Sequence, residues 1–264
     1  MKCFDIVVRD DEISRSIQRR IANILIHAGW TQTCDVPDIV LSVGGDGTML
    51  EAFHQYVGHL EEVAFVGLHT GRLGFYADWK PEDIDKLLEK ILLSDAYETV
   101  EYPLVHVQLI MENEVRNYLA LNECVIKSLT GTMVAQVSIN GDEFEQFRGD
   151  GLCISTPSGS TAYNKSLGGA ILHPSIEAIQ VAEMASINNR VYRTIGSSIV
   201  LPKHHHCVIT PSQEMTYQIH IDHLTMQNLK IDQVKVRMAD EKIRFVRYRN
   251  FPFWMRVRAS FIKE

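Results

Sequence analysis

An aspartate set among glycines, in the run Gly44-Gly45-Asp46-Gly47-Thr48, is where this sequence most plainly asks for chemistry. Three glycines in four residues leave few Cβ atoms in the way, so backbone N–H groups can approach a phosphate at a helix N-terminus whose dipole already favours negative charge. A carboxylate placed there would repel that phosphate. Asp46 therefore serves as general base, metal ligand or partner of a ribose hydroxyl, or else it merely caps the helix. Three further polar groupings interrupt apolar surroundings. Asn122-Glu123 puts an amide and a carboxylate on a half-buried strand, and Arg148-Gly149-Asp150-Gly151 offers a cation and an anion on a turn. The run from Ser155 to Gly169 supplies hydroxyls, small residues and the aromatic Tyr163 ahead of a short helix, which suits a polyhydroxylated, phosphate-bearing ligand. Each of the three, taken alone, is also compatible with ordinary turn chemistry.

The elements around these residues follow from periodicity. The N-terminal run through Arg9 reads as a first strand, and Ile13, Ile17, Ile21, Ile24, Leu25 and Ala28 recur at spacings of three and four, a helix ended by Gly29. An apolar strand over 38–43 leads into the glycine turn and a helix over roughly 48–57, and a third strand covers Val63 to Leu68. Strands alternating with helices imply a parallel sheet covered on both faces, with ligands bound beyond the C-terminal strand ends. Asp46 stands at one such end, and the glycine-punctuated segment His69 to Tyr76 at the next. A helix from Pro81 to about Leu93 closes this half.

From about residue 99 the period becomes strand-like, with runs at Leu104–Met111, Tyr118–Ile126, Val134–Ile139, Leu152–Ser155, Ser198–Leu201, Cys207–Thr210, Gln218–Ile221 and Val234–Met238. Asn140-Gly141 between Val134–Ile139 and the polar-apolar run Glu143–Phe147 signals a hairpin. The fold class is α/β plus all-β. The basic and aromatic tail (Arg244, Phe245, Arg247, Tyr248, Arg249, Phe251, Phe253, Trp254, Arg256, Arg258) reads as a terminal segment packed onto a domain.

Composition narrows the function. A chain of 264 residues is long for one domain, and no apolar run approaches the roughly 20 residues that span a bilayer. The N-terminus lacks a signal-peptide pattern, which places the protein in the cytosol. A net charge of -7 argues against general nucleic-acid binding. The five cysteines, Cys3, Cys34, Cys124, Cys153 and Cys207, are scattered and lack a Cys-x-x-Cys pair, so they read as reduced residues without disulfide or zinc. His204-His205-His206 reads as a surface turn, because adjacent histidines do not converge on one ion.

Taken in order, Gly44-Gly45-Asp46-Gly47-Thr48, Gly71-x-Leu73-Gly74-Phe75, Asn122-Glu123, Gly149-Asp150-Gly151 and Thr156-Pro157-x-Gly159-Ser160-Thr161-Ala162-Tyr163 resemble the bacterial NAD kinase family over nearly the whole chain. The resemblance implies an N-terminal Rossmann-like α/β domain over 1–98, a C-terminal β-sandwich domain over 99–240 that binds NAD, and a segment over 241–264 returning to the first domain. It implies phosphorylation of the adenosine ribose 2′-hydroxyl of NAD by ATP or polyphosphate, a divalent cation, Mg2+ by preference, and a homotetramer. By the same resemblance Asp46 accepts the hydroxyl proton, Gly47 contributes a backbone contact, and Phe75 and Tyr76 flank the nucleotide. Asn122 and Glu123 bind a ribose, and Arg148 and Asp150 lie by the nicotinamide half. Ser158, Thr161, Ala162, Tyr163, Asn164, Lys165 and Ser166 line the adenine and amide pockets, and Ala185 and His223 complete the set. Four positions depart from the commoner pattern: His69 for Asn, Ser158 for Thr, Leu167 for Ala and Ala170 for Pro. The rival readings are a lipid or sugar kinase sharing the glycine turn, and an NAD sensor without catalysis.

Overall fold

The computed structural model describes residues 2–32, 35–93, 98–249 and 252–262; Cys34 and Phe251, read above as a reduced thiol and as part of the tail, lie outside them. The chain divides into two compact units, Met1–Tyr102 with Glu241–Glu264, and Pro103–Asp240.

The first unit holds β1 (Cys3–Val8), α1 (Glu12–His27), β2 (Thr31–Gln32), β3 (Ile39–Gly44), α2 (Asp46–Gln55), β4 (Ala64–His69) and α3 (Ile84–Leu93), with a 3-10 turn at Pro81–Asp83 where the reading began a helix. Strands β1, β3 and β4 pair in parallel, as the alternation of strand and helix requires. All six residues of β3 are buried, so helices must cover both faces. Helix α1 starts because the Asp11 side chain accepts the Ser14 amide at 3.0 Å, and it stops at Gly29, whose φ of 86° suits a residue without Cβ. Its inner stripe is Ile17, Ile21 and Leu25; Ile13, placed on that stripe by spacing, is exposed. These side chains join Leu87, Leu88 and Ile91 of α3 and Phe4, Leu41 and Val66 of the sheet in one core. Burying each such side chain contributes about 1.5–3 kcal/mol.

The second unit is a sandwich of two sheets. It contains β5 (Glu98–Met111), whose first residues precede the unit, then β6 (Glu114–Ala120), β7 (Glu123–Ser128), β8 (Met133–Ile139), β9 (Asp142–Gly149), β10 (Gly151–Ser155), the four-residue α4 (Tyr163–Ser166), β11 (Ala178–Met184), β12 (Ile199–Pro202), β13 (His206–Pro211), β14 (Tyr217–Ile221), β15 (Leu224–Leu229) and β16 (Gln233–Arg247). One sheet runs β12-β11-β10-β7-β14-β15; in the other, β16, β13, β8 and β9 follow one another and β5 joins β16 to β6. Side chains from both sheets, among them Val107, Ile126, Phe147, Ile154, Ile219 and Val236, fill the space between. The Asn140-Gly141 turn joins β8 to β9, with φ of 54° and 91° at its two residues.

Two expectations need correcting. The run Tyr118–Ile126 is two strands in different sheets, because pairing breaks at Leu121-Asn122. Strands β11 and β15 carry no counterpart among the runs read from the sequence. Strand β16 continues past residue 240 to Arg247, followed by α5 (Phe253–Phe261). Within the first unit Phe245 of β16 stands in parallel register with Phe65 of β4.

No described helix is long and apolar enough to cross a membrane. Cys3, Cys124, Cys153 and Cys207 are free thiols, the last three buried. His204 and His205 sit in the turn between β12 and β13, and among the described residues no group of three His, Cys, Asp or Glu is placed to hold a metal.

Candidate active site

Parallel pairing brings the C-terminal ends of β1, β3 and β4 to one edge of the first unit, where the glycine turn and the His69–Tyr76 loop lie side by side. Gly45 is the N-cap of α2 and makes no side-chain cap, and Asp46 is the first helical residue. Its carboxylate turns to the neighbouring loop. Oδ1 and Oδ2 accept the Phe75 amide at 3.0 and 2.9 Å, and Oδ1 accepts the Tyr76 amide at 3.1 Å. Asp46 therefore ties two loops together, which capping would not do. Gly74 makes the approach possible, since a Cβ there would stand 2.2 Å from Asp46 Oδ1. Burial pushes the Asp46 carboxyl above the ordinary value of 3.8, opposed by the two amides and by the charges of Arg256 and His69. A raised carboxylate is a better proton acceptor than an exposed one.

The loop has its own support. Arg256 on α5 is 2% exposed, donates to the Phe75 carbonyl at 2.9 Å and pairs with Asp78, which also pairs with Arg247. The Phe75 ring stacks on Phe261, centroids 5.5 Å apart, and stands 6.2 Å from Phe253. Tyr76 is buried, with its ring stacked on Phe245 at 5.7 Å. Tyr76 thus meets Asp46 through its backbone amide, while its ring faces the core.

In the second unit the Asp222 carboxylate is the organiser. It accepts the amides of Leu121 at 2.9 Å, Asn122 at 2.7 Å and Glu123 at 3.2 Å, and so ends β6 and starts β7. Asp222 occupies the turn between β14 and β15 at a φ of 52°, a conformation Asp tolerates better than most residues. The Thr156 hydroxyl donates to the Leu121 carbonyl at 2.6 Å and accepts the Gly159 amide at 2.8 Å, drawing the Thr156–Thr161 turn onto the same corner. A Cβ on Gly159 would stand 2.0 Å from the Asn122 carbonyl oxygen.

The register separates the remaining candidates. Glu123 pairs with Ser155 at one end of β10, whereas Gly151 pairs with Lys127 and Met184 at the other. Asn122, Glu123 and His223 therefore stand at one end of the strand. Arg148, Asp150 and Ala185 stand at the other, about 15 Å away at the usual rise per residue. There the Asp150 amide donates to the Met184 carbonyl at 2.8 Å, Ala185 holds a φ of 45°, and the Arg148 guanidinium lies 4.0 Å from the Tyr192 ring centroid. Helix α4 packs on β10, with Tyr163, Lys165 and Ser166 exposed and Ala162 half-buried. Three of the expected pocket residues have side chains engaged within the protein. The Ser158 hydroxyl is spent on Thr156 and the Leu121 carbonyl, the Thr161 hydroxyl donates to the Ser158 carbonyl, and Asn164 is fully buried against Gly169. These side chains shape the turn that presents Tyr163.

A profile described as the ATP-NAD kinase N-terminal domain matches residues 26–97, and one described as the ATP-NAD kinase C-terminal domain matches residues 121–248. NAD kinase 1 of Halalkalibacterium halodurans is 56% identical over 263 residues, covering 99% of each chain. The chain belongs to the NAD kinase family. NAD kinase 1 of Bacillus subtilis is 54% identical over 98% of each chain. Among solved structures, yeast NADH kinase complexed with NADH has a TM-score of 0.84 at 16% identity, covering 99% of this chain and 87% of that one. An NAD kinase from Archaeoglobus fulgidus in complex with ATP has a TM-score of 0.77 at 21% identity, covering 98% and 99%. At these identities the likeness to NAD kinase structures is one of fold.

In this NAD kinase chain Glu123 carries a pH signature. Burial, then the Asp222 charge, push its carboxyl from 4.5 up to about 8, against the pull of the Tyr163 amide, and its Oε2 has no partner among the described residues. A carboxyl whose folded pKa is raised contributes stability that is complete below the unfolded value near 4.5 and is lost as pH rises through about 8. The stability difference between wild type and Glu123→Gln is therefore expected to shift against the wild type as pH climbs through that window. Urea midpoints across it check this, and a constant difference would overturn it.

Sequence reasoning missed Asp222, Arg256 and Asp78. The two-residue turn Asp222-His223 between apolar runs was a usable signal for the first. The partners of the other two are far apart in sequence.

Proposed function

We propose that the chain transfers a phosphoryl group from ATP, or from inorganic polyphosphate, to the 2′-hydroxyl of the adenosine ribose of NAD, giving NADP. The observation that carries this reading is the Asp46 carboxylate, buried and fixed by the Phe75 and Tyr76 amides beside a glycine turn at a helix N-terminus. Phosphoryl transfer asks for alignment and charge stabilisation, and here an acceptor for the hydroxyl proton stands next to backbone amides free of Cβ atoms. Asp46 takes the proton as the hydroxyl oxygen attacks, the Gly47 backbone faces the phosphates, and Phe75 flanks the nucleotide. In the second unit Asn122 and Glu123 hold ribose hydroxyls, Tyr163 stacks on a base, and His223 stands beside them.

Mg2+ fits this site. It is commonly held by one or two carboxylates together with substrate phosphates, and the Asp46 carboxylate keeps lone-pair capacity beyond its amide bonds. When bound, the cation neutralises charge on the donor phosphates.

The working assembly is a homotetramer in the cytoplasm. Arg148, Asp150 and Ala185 lie at the strand end remote from Glu123, which supports the reading that they serve a neighbouring subunit's site. Light scattering at assay concentration is expected to give a tetramer, and an active monomer would overturn it.

Purified protein with NAD, ATP and magnesium is expected to form NADP, with polyphosphate and NADH as comparison substrates. NAD binding without NADP formation from either donor would favour the sensor reading; phosphorylation of a lipid or sugar in place of NAD would favour the other kinase.

A further inference from the structure

One cation at the edge of the glycine turn has no part in the site as described. Arg9 directly follows β1, its amide continuing the strand pairing to the Val43 carbonyl at 2.9 Å. Its side chain lies across the end of β3. A Cβ on Gly44 would stand 3.0 Å from the Arg9 Cβ, and a Cβ on Gly71 would stand 3.5 Å from Arg9 Nη1. The side chain therefore runs from its Cβ beside Gly44 to a guanidinium beside Gly71, on the loop that carries Phe75.

Its direction is fixed from behind. Arg9 Nε donates to Asp11 Oδ2 at 2.6 Å, and the same carboxylate caps α1 through the Ser14 amide and hydroxyl. The hydrogen bond from Arg9 is the largest of the influences that hold the Asp11 carboxyl well below the usual carboxylate range. A guanidinium has five N–H donors, and Asp11 engages one. The terminal nitrogens have no hydrogen-bond acceptor among the described residues, and the side chain is 45% exposed.

We propose that Arg9 binds the phosphate chain of the phosphoryl donor, with Asp11 as the residue that positions it. This rests on the function proposed above. The transferring phosphate must stand beside Asp46, so the remainder of the donor's phosphates extends along the same strand ends, where Arg9 presents a planar pair of donors suited to phosphate oxygens. The class of ligand is a linear polyphosphate, either the tail of a nucleoside triphosphate or the inorganic polymer.

Steady-state kinetics on the full chain with each donor test this. Arg9→Ala is expected to raise the KM for ATP and for polyphosphate by at least about tenfold and to leave the KM for NAD within about twofold. Arg9→Lys, which keeps the charge and loses the fork, falls between. Asp11→Asn preserves the helix cap and weakens the hold on Arg9, so it raises the donor KM by a smaller factor without changing the KM for NAD. Calorimetry with ADP, in the absence of NAD, is expected to show the same order of weakening. An unchanged donor KM in Arg9→Ala, or equal rises for donor and NAD, overturns the assignment, and a rise for ATP alone overturns a contact to the phosphate chain. A wild-type protein that binds ADP normally and makes no NADP would instead defeat the function while leaving the Arg9 contact measurable.

Discussion

Asp46→Asn is expected to lower kcat by at least about a hundredfold while the KM for NAD changes little, because an amide of the same shape cannot take the hydroxyl proton. The variant oxygen retains acceptor capacity for the Phe75 or Tyr76 amide, so the loop stays near its place and the loss falls on chemistry. The wild-type profile supplies an independent mark. Burial raises the Asp46 carboxyl, and the base works only when ionised, so kcat falls as pH drops through that raised value, above the ordinary carboxylate range. The residual turnover of Asp46→Asn should lack this acid limb. Normal turnover with unchanged magnesium dependence would defeat the base assignment, and a variant rescued by high magnesium would make Asp46 a metal ligand.

Arg256→Met carries the largest expected cost in stability. Arg256 is almost wholly buried, pairs with Asp78 and holds the Phe75 carbonyl, while burial lowers its own pKa to about 10 against the attraction of Asp46, leaving it charged at neutral pH. Methionine fills much of the volume and leaves Asp78 with Arg247 alone. Removing one partner of a buried ion pair costs about 3–5 kcal/mol, because the other charge remains desolvated. The double variant Asp78→Asn/Arg256→Met should recover part of this, since the buried carboxylate that has lost one of its two cations is then neutral, and Arg247 keeps its bond to the Tyr102 hydroxyl. Urea unfolding measures both, and a single variant within about 1 kcal/mol of wild type would show that the pair is not the support it looks to be.

Local patterns carried much of this architecture. Ile17, Ile21 and Leu25 recur at helical spacing, and the all-apolar β3 announces a strand covered on both faces. The glycine turn was legible for the same reason, as strand, turn and helix are adjacent in sequence. What stayed hidden depends on partners far along the chain. The apolar run through Leu121 gives no sign that Asp222, about a hundred residues later, takes three of its amides and breaks the strand. Composition likewise says that Ser158 and Thr161 carry hydroxyls and nothing about where they point, and the backbone claims both. Asn164 enters the site set by the family resemblance together with Tyr163, yet one step around a short helix turns it inward. Strand β11 is a different case, since Ala178-Ile179-Gln180-Val181-Ala182-Glu183-Met184 has a strand-like composition and lay unread between two loops.

Arg256 also sets an order in time. It follows Phe75 by 181 residues, yet its guanidinium holds the carbonyl of the peptide whose neighbouring amides fix Asp46. During translation every motif of the glycine turn and its companion loop is made long before the side chain that steadies them. A ribosome-bound chain interrupted before α5 would display the whole signature and lack the grip on Phe75. The hold on the Phe75 carbonyl is thus completed only once α5 has been made.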